Sequence, residues 1–117
     1  MTIARLHAGP RMSQAVIHGA TIYLAGQVAD QAKGKSVGDQ TKEILATIDR
    51  LLAEAGSDKT KILSTTIYLA DIGTFAEMNA VWEAWAPAGH TPARATVEAK
   101  LAAPQYTVEI VCVAAKS

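Results

Sequence analysis

The sequence has little with which to make covalent or metal staples. It holds one cysteine, Cys112, in 117 residues. A disulfide within the chain is therefore excluded, and a reduced, cytoplasmic setting is the expectation. Its three histidines, His7, His18 and His90, are far apart and form no i, i+4 pair, so no metal site is expected. Excess charge of either sign is also missing. Eleven Lys plus Arg balance eleven Asp plus Glu, which argues against a surface built to neutralise nucleic-acid phosphates. No apolar run approaches the roughly 18 residues of a membrane span, and Met1 to Leu6 lacks the apolar stretch of a secretory leader. Gly19, Gly26, Gly34 and Gly38 match neither dinucleotide-binding nor P-loop spacing, and the strained serine elbow of hydrolases is absent. Aromatic residues make up only 5% of the chain.

What is present is ordinary globular material. Half the residues are hydrophobic, enough at this length to build a core without a staple. Residues 1–117 read as one domain. Two β-rich runs, Ala15 to Ile17 and Thr21 to Ala25, flank His18-Gly19-Ala20 as a hairpin, and Ile3 to His7 is a further candidate strand. Val28 to Gly38, with Asp30, Gln31, Lys33, Gly34, Lys35 and Ser36, reads as a surface loop. Asp39 to Ala55 is the clearest helix, with Ile44, Ile48, Leu51, Leu52 and Ala55 on one stripe and Gly56 as its stop. Ile62 to Ala70 is a strand with Leu63, Thr65, Ile67 and Leu69 on one face. Thr74 and Glu77 have capping-box spacing before a second helix, Phe75 to Trp85, whose stripe is Phe75, Met78, Trp82 and Trp85. Ala93 to Leu101 alternates, with Ala93, Ala95, Val97, Ala99 and Leu101 opposite Arg94, Thr96, Glu98 and Lys100. Tyr106 to Ala114 places Val108, Ile110, Cys112 and Ala114 opposite Glu109, Val111 and Val113. This order predicts an α+β fold, a sheet with helices packed on one face. The other face, carrying Val111, Val113 and Thr96, is expected to be covered by another subunit, with a polar cleft at the seam.

Candidate chemistry centres on that seam. The Arg94 guanidinium suits a small carboxylate, or else a salt bridge to Glu98 or Glu109. Glu109 on a central strand needs water or a cation; it can position a water, or serve as the ion partner of Arg94. Thr96 offers a hydroxyl and a backbone N–H, or is simply a β-former. Asn79, beside the apolar stripe of the second helix, bonds either a loop backbone or a ligand. Cys112 reads as a buried, inert thiol.

Taken together, Ala25-Gly26-Gln27, Leu69-Ala70-Asp71, Phe75-Ala76-Glu77-Met78-Asn79, Pro92-Ala93-Arg94 and Val108-Glu109-Ile110 resemble the RidA/YjgF family over nearly the whole chain, in order. The segment from Arg11 to Ile17 and that from Ala88 to Arg94 resemble its YoaB-like branch. The resemblance implies a chorismate-mutase-like α+β fold, a mixed sheet with two helices on one face, and a homotrimer whose sheets form an inner β-barrel. It implies cofactor-free hydrolysis of enamine and imine intermediates, such as 2-aminoacrylate and 2-imino acids, to 2-keto acids and ammonia in clefts between subunits. In that scheme Arg94 grips the substrate carboxylate of a small metabolite and Glu109 orients the attacking water. Gly26 and Thr96 offer backbone amides, and Asn79 lies near the cleft. Met12, Ala25 and Thr96 stand where the founding branch has tyrosine, serine and cysteine, so Met12 and Ala25 also belong to the ligand site. A non-catalytic binding protein for 2-keto acids is the alternative. Ribonuclease or translation-inhibitor activity is opposed by the balanced charge and unpaired histidines.

Overall fold

A computed structural model of the chain describes residues 2–116. Six strands form where β-branched and alternating residues cluster: β1 Ile3–Leu6, β2 Ala15–His18, β3 Thr21–Leu24, β4 Ile62–Leu69, β5 Ala93–Glu98 and β6 Val108–Ala115. Two helices, α1 Val37–Glu54 and α2 Phe75–Trp85, carry the 3.6-residue stripes. The strands make one sheet in the order β1-β2-β3-β6-β4-β5. Neighbours pair antiparallel except β4 and β5, which run parallel. A parallel pair needs a crossover, and α2 supplies it. The architecture is the α+β one expected, a mixed sheet with both helices on one face.

Strand alternation decides what the helices cover. Ile22, Leu24, Ile67, Leu69, Val108, Ile110, Cys112 and Ala114 point toward the helices and are buried. They meet Ile44, Leu45, Ile48, Leu51 and Leu52 of α1 and Met78 and Trp82 of α2 in one core. Each fully buried Leu or Ile contributes roughly 1.5–3 kcal/mol relative to exposure. The opposite face carries Tyr23, Thr66, Tyr68, Glu109, Val111 and Val113, none of them fully buried. Among the described residues no helix is long and apolar enough to cross a membrane.

Several local expectations change. Helix α1 starts at Val37, two residues before Asp39, because the Ser36 hydroxyl accepts the Asp39 N–H at 3.1 Å. The Thr74–Glu77 capping box does not form. Thr74 Oγ1 donates to the Asp71 carbonyl at 2.7 Å, while Glu77 Oε2 accepts the Gly38 N–H at 2.9 Å. The orphan amides and positive dipole end of α1 thus capture the carboxylate. Leu63 is 53% exposed, because a register shift between Ile62 and Ser64 re-phases β4 and leaves Thr65, Ile67 and Leu69 inward. Strand β5 ends at Glu98, not Leu101, since its partner β4 ends at Leu69. Gly56 ends α1 as expected, at φ 86°, with the Ser57 N–H returning to the Leu52 carbonyl at 2.8 Å.

One buried amide sets the approach to β6. Gln40, on α1, donates to the Lys35 and Gln105 carbonyls at 3.1 and 2.8 Å. Its Oε1 accepts the Thr107 N–H at 2.9 Å. The loop that delivers Glu109 is thereby tied to the helix layer.

Cys112 bonds Thr65 in the core, and burial pushes its thiol up to about 11 from 9.0. The unfolded chain therefore releases this proton first. Unfolding free energy should fall as pH rises from about 9 toward about 11, and Cys112→Ala should flatten that slope in denaturant titrations at several pH values. Native protein should also leave Cys112 unreacted with a thiol reagent at pH 8 until it unfolds.

Candidate functional site

Arg94 is the most elaborately held charge on the chain. It sits on β5, in register with Thr65 of β4, so it faces the helices and not the open face. Its Nη1 donates to Asn79 Oδ1 at 2.7 Å. Its guanidinium carbon lies 5.7 Å from the Phe75 ring centre and 5.4 Å from that of Trp82. Phe75, Asn79 and Trp82 are at i, i+4 and i+7, one face of α2. The helix therefore presents an acceptor between two π-faces, and each cation–π contact adds roughly 0.5–2 kcal/mol. Neither Glu98 nor Glu109 pairs with Arg94. Among the described residues the ion pairs are His7–Glu54 and Lys61–Asp58, and Glu98 Oε1 instead accepts the Ile72 N–H at 3.0 Å. The Arg94 charge is held without being neutralised.

Thr96 lies two residues along on the same face. Its hydroxyl is buried and has no partner. The expectation that Thr96 shares the open face with Val111 and Val113 is therefore overturned. In the parallel register it stands beside Ile67, while Ala93, Ala95 and Val97 face outward.

Glu109 occupies the other side of the sheet. It is half-buried on β6, paired with Tyr68 of β4. Gly26 is directly against it: a Cβ at Gly26 would lie 2.1 Å from Glu109 Oε2. That separation is far inside van der Waals contact, so glycine is what allows the carboxylate to rest on the Gly26 backbone. Gln27 pins this junction, because its N–H donates to the Ile110 carbonyl at 2.9 Å and its carbonyl accepts the Ile110 N–H at 3.1 Å. Ala25 precedes Gly26 with its N–H on the Gln14 carbonyl. Met12 lies in the β1–β2 connection and is exposed.

The candidate residues thus fall into two separate groups. Arg94, Asn79 and Thr96 make one on the helix side of the edge strand β5. Glu109 and Gly26 make the other on the open face. The alternative of an Arg94–Glu109 salt bridge within the chain is not met, because the two side chains leave the sheet on opposite faces. Trp82 is in the core as its stripe predicts, and with the more exposed Phe75 it also forms the guanidinium cradle; their spacing around Asn79 was the available signal. Among the described residues no cluster of His, Cys, Asp and Glu is placed to hold a metal ion.

Comparisons with known proteins bear on the family and the fold. A family model described as endoribonuclease L-PSP matches residues 2–116. The chain is 47% identical over 115 residues to the RutC family protein YoaB of Escherichia coli, covering 98% of this chain and 99% of that one. It is 33% identical over 107 residues to the 2-iminobutanoate/2-iminopropanoate deaminase of Rattus norvegicus, covering 87% and 77%. The crystal structure of a YjgF family member from Neisseria meningitidis superposes with a TM-score of 0.97 at 49% identity, covering 100% of this chain and 97% of that one.

The backbone of Gly26 does not need a positive φ, and the clashing atom is the end of a flexible side chain. Gly26→Ala should therefore fold within about 1 kcal/mol of wild type but displace the Glu109 carboxylate by more than about 1 Å to restore normal contact. Thermal unfolding and a crystal structure of the variant check both parts.

Proposed function

The chain belongs to the endoribonuclease L-PSP family, the RidA/YjgF group, and on that premise we propose that it hydrolyses 2-imino acids and their enamine tautomers to 2-keto acids and ammonia. The observation that carries this reading is the Arg94 guanidinium, oriented by Asn79 and two aromatic rings with no carboxylate partner among the described residues. Such a group is prepared for a ligand carboxylate. The rat relative carries the name of an imine deaminase.

The chemistry asks little of the protein. A protonated imine carbon is already electrophilic. Water adds to it, a proton moves from the added oxygen to nitrogen, and the carbon–nitrogen bond breaks to release ammonia and the keto acid. Arg94 holds the carboxylate beside that carbon, which supplies proximity and orientation. Glu109 accepts a hydrogen bond from the attacking water and takes its proton on the way to nitrogen. Backbone N–H groups at Gly26 and Thr96 contact the substrate, and Met12 and Ala25 shape the remaining wall.

Arg94 and Glu109 of one chain leave opposite faces of the sheet, so the cleft is completed by a neighbouring copy in a homotrimer. Two features support that assembly. Strand β5 is an edge with its backbone unpaired on one side. The uncovered face beside it is rich in Val111, Val113, Tyr23 and Val97, the last two 49% and 43% exposed. A copy docked along β5 brings its own Glu109 and Gly26 toward Arg94.

Two measurements test the reading. Light scattering should return three times the 12.3 kDa chain mass; a monomer overturns the composite cleft. In a coupled assay an amino-acid oxidase generates imino acids and semicarbazide traps the survivors. Wild type should lower the trapped yield, and Arg94→Ala should lose about tenfold to a hundredfold in kcat/KM, the worth of a charge-assisted hydrogen-bond pair. Equal rates in wild type and Arg94→Ala overturn it. Keto-acid binding without turnover would identify a sensor.

A further inference from the structure

A second cleft lies between α1 and the β1–β2 connection, with a volume of about 540 Å³. That is within the roughly 300–1,000 Å³ of small-molecule sites. Neither Arg94 nor Glu109 lines it. Helix α1 contributes Glu43, Arg50 and Glu54, three charges on one face at positions i, i+7 and i+11. The strand side contributes His7, Gln14 and Gln27, and the loop after it a third carboxylate, Asp30, which accepts the Tyr106 hydroxyl at 2.6 Å.

These groups carry unspent hydrogen-bonding capacity of complementary kinds. Arg50 forms no ion pair among the described residues. Glu54 uses Oε2 on His7 at 2.6 Å and Glu43 uses Oε2 on the Gln31 N–H at 3.1 Å, so each keeps its other oxygen. Gln27 is only 7% exposed. Its Nε2 donates to Gln14 Oε1 at 2.9 Å and to the Ala25 carbonyl at 3.0 Å. The carbonyl contact fixes which way this amide points, since an oxygen there would meet an oxygen. Gln27 Oε1 and Gln14 Nε2 are then left without partners among the described residues, an acceptor and a donor side by side. Among the described residues the buried side-chain atoms without a partner are Thr96 Oγ1 and Thr107 Oγ1, so the Gln27 oxygen is open to the solvent of the cleft and available to a ligand. The backbone is also constrained here. His7 is the one non-glycine residue with positive φ among those described, at 51°, and its side chain is anchored to Glu54. Such strain costs on the order of 1–3 kcal/mol and gathers at ligand clamps.

We propose that this cleft binds a zwitterionic α-amino acid with a carboxamide side chain. Arg50 takes the carboxylate and the free oxygens of Glu54 and Glu43 take the ammonium. The Gln14–Gln27 pair reads the carboxamide, which itself offers one acceptor and one donor. A plain anion would meet the two glutamates and a plain cation would meet Arg50. A neutral ligand would leave Arg50 and both glutamates unused. The site is separate from the substrate cleft and does not depend on the deaminase reading.

Calorimetric titration of the full chain with L-glutamine and L-asparagine tests it. Expected is saturable binding, one ligand per chain, by at least one of the two. Binding should be unchanged in Arg94→Ala and weakened at least about tenfold in Arg50→Gln, the loss of one charge-assisted contact. N-acetyl-L-glutamine, without the ammonium, and L-glutaminamide, without the carboxylate, should bind at least about tenfold more weakly. Arg50 is exposed, so Arg50→Gln should melt with wild type, and Glu54→Gln supplies a second variant if it does not. No saturable heat with either amino acid up to about 10 mM overturns the proposal. So does binding that survives Arg50→Gln and Glu54→Gln but disappears in Arg94→Ala.

Discussion

Two helices can cover only one face of a six-stranded sheet. Everything distinctive about this chain follows from how its strands distribute residues between the covered face and the other one. The covered face takes Ile22, Leu24, Ile67, Leu69, Val108, Ile110 and Cys112 into a single core with α1 and α2. The uncovered face receives a mixture of valines, tyrosines and one carboxylate, none of them fully buried. Because side chains alternate along a regular strand, Arg94 and Glu109 are sent to opposite faces by registers fixed elsewhere in the sheet.

Polar side chains then position what the core cannot. Gln40 spends its whole amide on three backbone groups and so fixes the loop leading into β6. Glu77 leaves its own helix to satisfy an amide at the start of α1, which locks the helices to each other at that end. Asn79 spends its oxygen on Arg94. Each is a single side chain whose bonds link one element to another. The Trp82 ring continues the chain of contacts, 5.3 Å from Trp85. Trp85 in turn bonds Asp49 of α1 at 2.9 Å. The guanidinium is thus held against a braced surface and not a loose one.

The Glu109–Gly26 pair and the second cleft share one short segment. Ala25-Gly26-Gln27 places Gly26 under the Glu109 carboxylate, while the Gln27 side chain faces the Gln14 amide and its backbone pairs with Ile110. An extended segment passing between the two faces of a sheet offers successive residues to opposite sides. The Gly26 backbone meets the carboxylate on one side, and the Gln27 amide meets Gln14 on the other.

Periodicity made both helices, all six strands and the α+β class legible, because burial along a helix or strand repeats with the local geometry. The individual candidates Arg94, Glu109, Asn79 and Gly26 were legible through the motifs that contain them. The face that Arg94 and Thr96 occupy was not, since alternation gives two sets of residues without saying which set meets the helices. That choice belongs to the parallel register of β5 on β4. The outward turn of Leu63 was equally hidden, because a bulge costs one residue of phase and leaves no mark in composition. Glu77 had the spacing for its own helix's capping box, and only the packing of α2 against α1 offered it a better-placed amide. Local pattern therefore determined the elements and the chemical inventory. Tertiary pairing decided which groups share a surface, because a contact between distant segments depends on register and packing that no short stretch of sequence contains.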